Sequence, residues 1–196
     1  MVPTIETASL ADTDQVTRVV ARAFADDPVT LWVFGGPETF QKALTVLMKD
    51  IYLPRGFVTM VEGKAASMWL RPGASNELSL LALLRLIASS VPRAGFRPTL
   101  RALKAASRMD ALKPKDPFLY LFAIGVDPSA QGQGLGSLLI KDGLREADSQ
   151  GVPAYLESSK EENIPLYRRH GFEVVKEIQL AAGSPNVWTM LREARG

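Results

Sequence analysis

The sequence predicts a single α/β domain, a mixed sheet with helices on both faces, and three observations lead there. The 196 residues are 46% hydrophobic, with a mean hydropathy of +0.03, which is enough to bury one substantial core across residues 1–196. The second half of the chain alternates strand-like apolar runs with helical periodicity. One of those strands feeds a glycine-dense turn, Gln131-Gly132-Gln133-Gly134-Leu135-Gly136-Ser137, that opens a helix.

From the N-terminus, a short strand near 4–8 precedes Val16, Val19, Val20, Ala23 and Phe24, which recur at helical spacing behind a capping signal at Asp12 or Thr13. Residues 27–36 read as a loop that holds two large aromatics, Trp32 and Phe34. Pro37 opens a second helix, with Phe40, Leu44, Leu47, Met48 and Ile51 as its apolar face. The segments FVTMVE and AASMWLR read as a hairpin joined by two residues, Gly63-Lys64. Over 76–115 the pattern becomes a helical, basic insertion, with Leu78 to Ile87 followed by Arg97, Arg101, Lys104 and Arg108. Its apolar run is too short to cross a membrane and is broken by Arg85. The basic residues fall near one helical face, which is either solvated or attracts an anionic ligand. A strand over 118–126, a helix over 134–149, a strand over 153–158, a short helix from near Asn163, and strands near 172–180 and 186–192 complete the order.

Composition excludes several chemistries. The formal charge of +2 leaves no basic footprint for nucleic acid. With no cysteine and one histidine, the chain has no disulfide, thiolate nucleophile or clustered-histidine metal site, so no metal is expected. A transferase built this way cannot pass an acyl group through cysteine and is expected to move it directly between two bound substrates. The first residues, MVPTIETASLADTD, have neither the basic nor the apolar region of a secretory signal, so the expected setting is cytoplasmic. From the short apolar run and the small net charge, no membrane or nucleic-acid partner is expected.

The turn at 131–137 brings backbone close to a ligand and aims the unpaired N–H groups of a helix start at one point, which suits a pyrophosphate. A P-loop would need a lysine after the glycine, which is absent. A dinucleotide fingerprint would need its third glycine one residue later, although Glu157 lies at a tempting distance for a ribose. A glycine-rich connection with no ligand also stays open. The remaining pattern is Gln-x-x-Gly-x-Gly behind Gly125-Val126-Asp127-Pro128, followed by Asn163, Tyr167 and Gly171-Phe172. In these two motifs, their order and their separation, the chain resembles the GNAT superfamily of acyl-CoA-dependent N-acetyltransferases. Within it, Ala23 to Pro28, the Val152 to Glu157 strand and Trp188 resemble puromycin N-acetyltransferase and its relatives.

The resemblance implies a GNAT-like fold. Its sheet is mostly antiparallel with six or seven strands, and strands four and five, parallel, splay apart so that acetyl-CoA, the expected co-substrate, lies in the gap. Gln131, Gly132, Gln133, Gly134, Leu135, Gly136 and Ser137 would then hold the pyrophosphate, and backbone groups of Ile124, Gly125 and Val126 the pantetheine arm, one N–H serving as oxyanion donor. Tyr167 is the expected general acid for the leaving thiolate, since a phenol with a pKa near 10 keeps its proton at neutral pH. Asn163 is a helix N-cap by type, and the resemblance adds a cofactor contact. Glu157 is the expected base, contacting the acceptor from a strand beside the cofactor arm. His170, just before Gly171, reads as a helix C-terminal residue rather than a base. Trp32, Phe34, Tyr52 and the insertion are what the resemblance places over the acceptor. The leading reading is acetyl transfer to a small-molecule amine through a ternary complex, by a monomer or homodimer. A protein or peptide acetyltransferase and a non-catalytic acyl-CoA sensor are the alternatives.

Overall fold

Seven segments satisfy one another's backbone groups in a single sheet, in the order β1-β2-β3-β4-β5-β7-β6. They are β1 (Glu6–Thr7), β2 (Gly56–Val61), β3 (Ala65–Leu70), β4 (Leu119–Val126), β5 (Ala154–Ser158), β6 (Glu173–Gln179) and β7 (Asn186–Arg192). The computed structural model describes residues 3–94 and 104–195. All neighbours are antiparallel except β4 and β5, which run parallel and pair only from Leu119 to Leu121 against Ala154 to Leu156.

Helices cover both faces. On one, α1 (Thr13–Ala23) and α3 (Pro37–Leu47) pack Val16, Val20, Phe40 and Leu44 against Val58, Met60, Met68 and Ala123. On the other, α6 (Leu135–Gln150) lays Ile140, Leu144 and Ala147 on Trp69, Leu121 and Leu156. Trp69 is fully buried, and its indole N–H donates to Ser67 Oγ at 3.0 Å, which satisfies the one polar group it carries inward. The other helices that bear on the site are α2 (Pro28–Phe34), α4 (Leu80–Ala94), a stretch over 104–110 called α5, and α7 (Ile164–Arg168).

Three local expectations are corrected. Residues 28–34 form α2, not loop: Asp27 accepts the Thr30 N–H at 2.7 Å as N-cap and Pro28 starts the helix, so the segment has both helix-start signals. The cap before α1 is Ser9, in a capping box with Asp12 around a short 3₁₀ turn, and Asp12 makes no side-chain cap to α1 itself. The β2–β3 connection has three residues, 62–64, because Val61 pairs with Ala65 and the Lys64 N–H closes on the Val61 carbonyl at 2.9 Å. Of the basic residues in the insertion, Arg97 and Arg101 lie outside the described residues, while Lys104 and Arg108 are exposed on α5.

One irregularity positions the site. In β4, Leu121 pairs with Trp69 and Ala123 with Met68, so Phe122 is an extra residue, a β-bulge. Its effect shows in the packing: Phe122 and Ala123 both face the α1/α3 side, whereas Leu121 and Ile124 face α6. A bulge bends a strand, and this one stands where β4 parts from β5.

Candidate active site

Beyond Leu121, β4 pairs only with β3, and beyond Leu156 β5 pairs only with β7. The edges that face each other across the splay therefore carry backbone N–H and C=O groups with no strand partner. Between them opens a cleft of about 1080 Å³, lined by Ile124, Gly125 and Val126 on one side and by Glu157, Asn163 and Tyr167 on the other. Gly125 has a packing reason to be glycine as well: a Cβ there would come within 2.9 Å of the Val20 Cα and the Ala23 Cβ, so α1 could not lie against β4.

The glycine turn forms part of the cleft wall. Gly134 sits at φ 78 as the N-cap of α6, a left-handed conformation that strains other residues. That conformation lets the chain swing into the helix, leaving the N–H groups of Leu135, Gly136 and Ser137 without intrahelical acceptors. Gln131, Gly132, Gly134, Leu135, Gly136 and Ser137 all line the cleft, and Gln133 lies outside the lining. Gln131 turns its side-chain amide back onto the Val126 carbonyl at 3.3 Å. The turn is anchored behind by Asp127, which accepts the Ser129 N–H and O–H at 3.0 and 2.6 Å; these bonds hold its carboxyl below the usual range.

A second cavity of about 310 Å³ adjoins the cleft on the α2/α3 side. Its wall is apolar, with Phe34, Phe40 and Tyr52 from the N-terminal helices and Leu83, Leu86 and Ile87 from α4. Phe24, Asp27, Phe122, Ala123, Glu157 and Ser159 line both spaces and mark their junction. The bulge accounts for part of this junction, since it turns Phe122 and Ala123 to the same side.

Glu157 is the titratable group at that junction whose environment is most perturbed. Its Oε2 accepts the Tyr120 hydroxyl at 2.7 Å, while Oε1 is buried without a hydrogen-bond partner. The Tyr155 hydroxyl faces the same carboxylate, also buried, without a hydrogen bond of normal geometry. Burial pushes the Glu157 carboxyl up to about 7, against the nearby Lys113 charge and the Tyr120 hydroxyl, which favour the anion. Lys113 stands 4.2 Å over the Tyr120 ring and pairs with Asp110 at 2.7 Å, and Asp110 also accepts the Asn76 amide at 2.7 Å. An unpaired carboxylate oxygen beside an apolar cavity, half-ionised near neutral pH, is suited to take a proton.

Tyr167 is buried on α7 with its ring edge-on to Phe172, and it lines the cleft. Burial, then the Asp27 charge, raises its pKa well above the ordinary phenol value, so it keeps its proton at any physiological pH. Asn163 stands at the N-cap position of α7 but makes no side-chain cap hydrogen bond, and it is exposed in the cleft lining. His170 lines neither cavity: its Nε2 lies 2.6 Å from Ser137 Oγ, tying the end of α7 to the first turn of α6. Burial and the surrounding Lys141, Arg169 and Arg192 charges lower its pKa, so the tie is a neutral imidazole.

Phe34 and Tyr52 line the second cavity, whereas Trp32 packs outside it with Val33, Ala105, Ile178 and Leu180. Sequence reasoning passed over Asp27 and Lys113. Asp27 is nearly inaccessible, caps α2 and accepts the Ser159 hydroxyl, so it fastens α2 to the end of β5. The Asp-Pro pair that starts α2 was its visible signal. Among the described residues, no group of three or more His, Asp or Glu side chains is placed to hold a metal ion.

The sequence profile of the Acetyltransferase (GNAT) family matches residues 100–172, the stretch that contains β4, the glycine turn, α6, β5 and α7. The chain is an acyltransferase, and its GNAT-family match is carried by residues 100–172. An N-acetyltransferase of Schizosaccharomyces pombe is 29% identical over 189 residues, covering 90% of this acyltransferase and 76% of the yeast protein. The mycothiol acetyltransferase of Saccharomonospora viridis is 43% identical over 68 residues, and this match spans only 33% of the chain and 22% of that protein. Among solved structures, one from Corynebacterium glutamicum described as histone acetyltransferase HPA2 and related acetyltransferase superposes with a TM-score of 0.75. It is 23% identical, and the alignment covers 100% of this chain and 98% of that one, a likeness of fold.

Proposed function

We propose that this acyltransferase moves the acetyl group of acetyl-CoA directly to the amine of a small, largely apolar molecule. The observation that carries this reading is the position of Glu157. It lies where a long cleft with two unpaired strand edges meets an apolar side cavity, and it keeps one carboxylate oxygen free of partners.

The residues fit such a co-substrate. The N–H groups at the start of α6 bind the pyrophosphate, and the positive end of the helix favours its charge. The open edge of β4 at Ile124, Gly125 and Val126 pairs with the amides of the pantetheine arm as a strand would. Acetyl-CoA supplies a thioester whose acyl carbon is open to attack by an amine. An N–H on the same edge of β4 receives the charge that develops on the acyl oxygen. Glu157 takes the proton from the acceptor ammonium, directly or through one water, because a carboxyl near 7 is partly ionised at working pH and does not hold the proton too weakly. Tyr167, on the same side of the cleft as Glu157, gives its proton to the departing sulfur and is restored by the second proton that the nitrogen sheds as the amide forms.

The apolar wall selects the acceptor. A cavity of about 310 Å³ with phenyl and leucyl sides takes a compact hydrophobic amine, and Leu83, Leu86 and Ile87 of α4 wall one side of it. The names of the matched mycothiol acetyltransferases agree with a small-molecule acceptor. The likeness to puromycin N-acetyltransferase speaks to lineage and assigns no substrate. A screen of primary amines, aminonucleosides included, for acetyl-CoA-dependent thiol release tests the proposal. Turnover confined to compact apolar amines is expected, and turnover of lysine-containing peptides alone would refute it.

A further inference from the structure

The helix α4 is apolar on more sides than its own fold uses. Ala82 is buried, and Leu83, Leu86 and Ile87 line the side cavity. Leu80, Leu81 and Leu84 face outward, 74%, 56% and 55% exposed, the largest group of exposed leucines close in sequence among the described residues. Leu80 and Leu84 are one helical turn apart, as are Leu81 and Arg85, so three leucines and a cation share one face. Single exposed leucines need no explanation, but a contiguous apolar helix face edged by charge marks a surface that something covers.

The sign of the surrounding charge says what covers it. From 78 to 109 the sequence has six Lys or Arg residues and no Asp or Glu. Subtracting those six from the chain's +2 leaves −4 for the remainder, so the cationic character of the protein is concentrated in this one segment. Arg85, beside the leucines on α4, and Lys104 and Arg108, on α5, are exposed. A second copy meeting this face would bring like charge against like charge. A polyanion such as nucleic acid would satisfy the cations and leave the leucines in water. Leucines flanked by cations are what an anionic lipid surface takes up, the side chains entering the acyl boundary and the cations remaining at the phosphates.

We propose that this face docks the protein on an anionic membrane surface. No described helix is long and apolar enough to cross a bilayer, so the association is peripheral and reversible. It departs from the sequence-based expectation of no membrane partner, which rested on the brevity of the apolar run, a criterion for spanning and not for surface binding. Because the inner side of α4 walls the apolar cavity, docking sets that cavity beside the bilayer, where hydrophobic amines partition.

Co-sedimentation of the full chain with phosphatidylglycerol/phosphatidylcholine vesicles, compared with phosphatidylcholine alone, tests the proposal. Binding to the anionic vesicles only, weakened by salt, is expected. Arg85→Glu should weaken it about fivefold or more, the effect of roughly 1 kcal/mol per cation. Leu80→Ser/Leu84→Ser should weaken it about tenfold or more. Circular dichroism and transfer to a water-soluble amine should be unchanged, since neither leucine lines a cavity. No sedimentation with either vesicle, binding that survives loss of the leucines, or a dimer in ultracentrifugation that the leucine variant dissociates would each overturn the proposal.

Discussion

Replacing Glu157 with Gln should make the protein more stable and less active, and the stability gain should depend on pH. The carboxyl moves from an ordinary 4.5 in the unfolded chain to about 7 in the fold, chiefly through burial. A raised carboxyl pKa means that the folded state holds the proton more tightly than the unfolded state. Its contribution is therefore fully present below pH 4.5 and is lost as pH rises through about 7. At 1.36 kcal/mol per unit, the ionised carboxylate costs the fold about 3 kcal/mol above that window. Gln removes the ionisation while its carbonyl still accepts the Tyr120 hydroxyl, and its amide can donate to the orphaned Tyr155 oxygen. Urea unfolding at pH 5 and pH 8 measures the difference. The Gln variant should gain roughly 2–3 kcal/mol on wild type between those values. Parallel stability curves for the two proteins across that range would refute the buried-carboxylate argument.

Tyr167→Phe should leave the fold and the KM for acetyl-CoA nearly unchanged while lowering kcat by about 10²-fold or more; single-turnover assays check this. Gly136→Asp should fold normally, because a Cβ there meets Leu166 and Val126 at an ordinary 3.7 Å and an acidic residue suits the second position of a helix. Its charge would face the pyrophosphate, so calorimetry should show coenzyme A affinity reduced about tenfold or more. Gly134→Asp is the poorer test, since its φ of 78 would strain the backbone and confound the result. Lys113→Met removes a charge that favours ionised Glu157, so the acidic limb of kcat/KM should move to higher pH while the alkaline plateau is kept.

The parts of this protein that depend on neighbours in sequence were legible. Glycines at 132, 134 and 136, the strand before them and Tyr167 four residues after Asn163 all follow from local backbone and helix geometry. The β4 bulge was not legible, because Phe118 to Val126 is apolar on both parities and gives no sign of where the alternation shifts. The loop expectation over 27–36 missed the two helix-start signals at its head, Asp27 and Pro28. Glu157 could be named from its strand, but its free oxygen, the Tyr120 bond and the Lys113 charge come from residues 37 and 44 positions away, brought together only by the sheet. Trp32 and Phe34 were indistinguishable as loop aromatics. On the helix both pack against the cluster of Val33, Ile178 and Leu180, but only Phe34 also lines the cavity.

The most direct test of the account is the pH dependence of kcat/KM for the best amine found in the screen, measured for wild type and Glu157→Gln. If Glu157 is the base, wild type should show an acidic limb with an apparent pKa near 7, and Gln should abolish that limb and depress the plateau by about 10²-fold or more. If the Gln profile keeps the wild-type shape and is only displaced downward by a constant factor, Glu157 orients the acceptor and the proton leaves by another route.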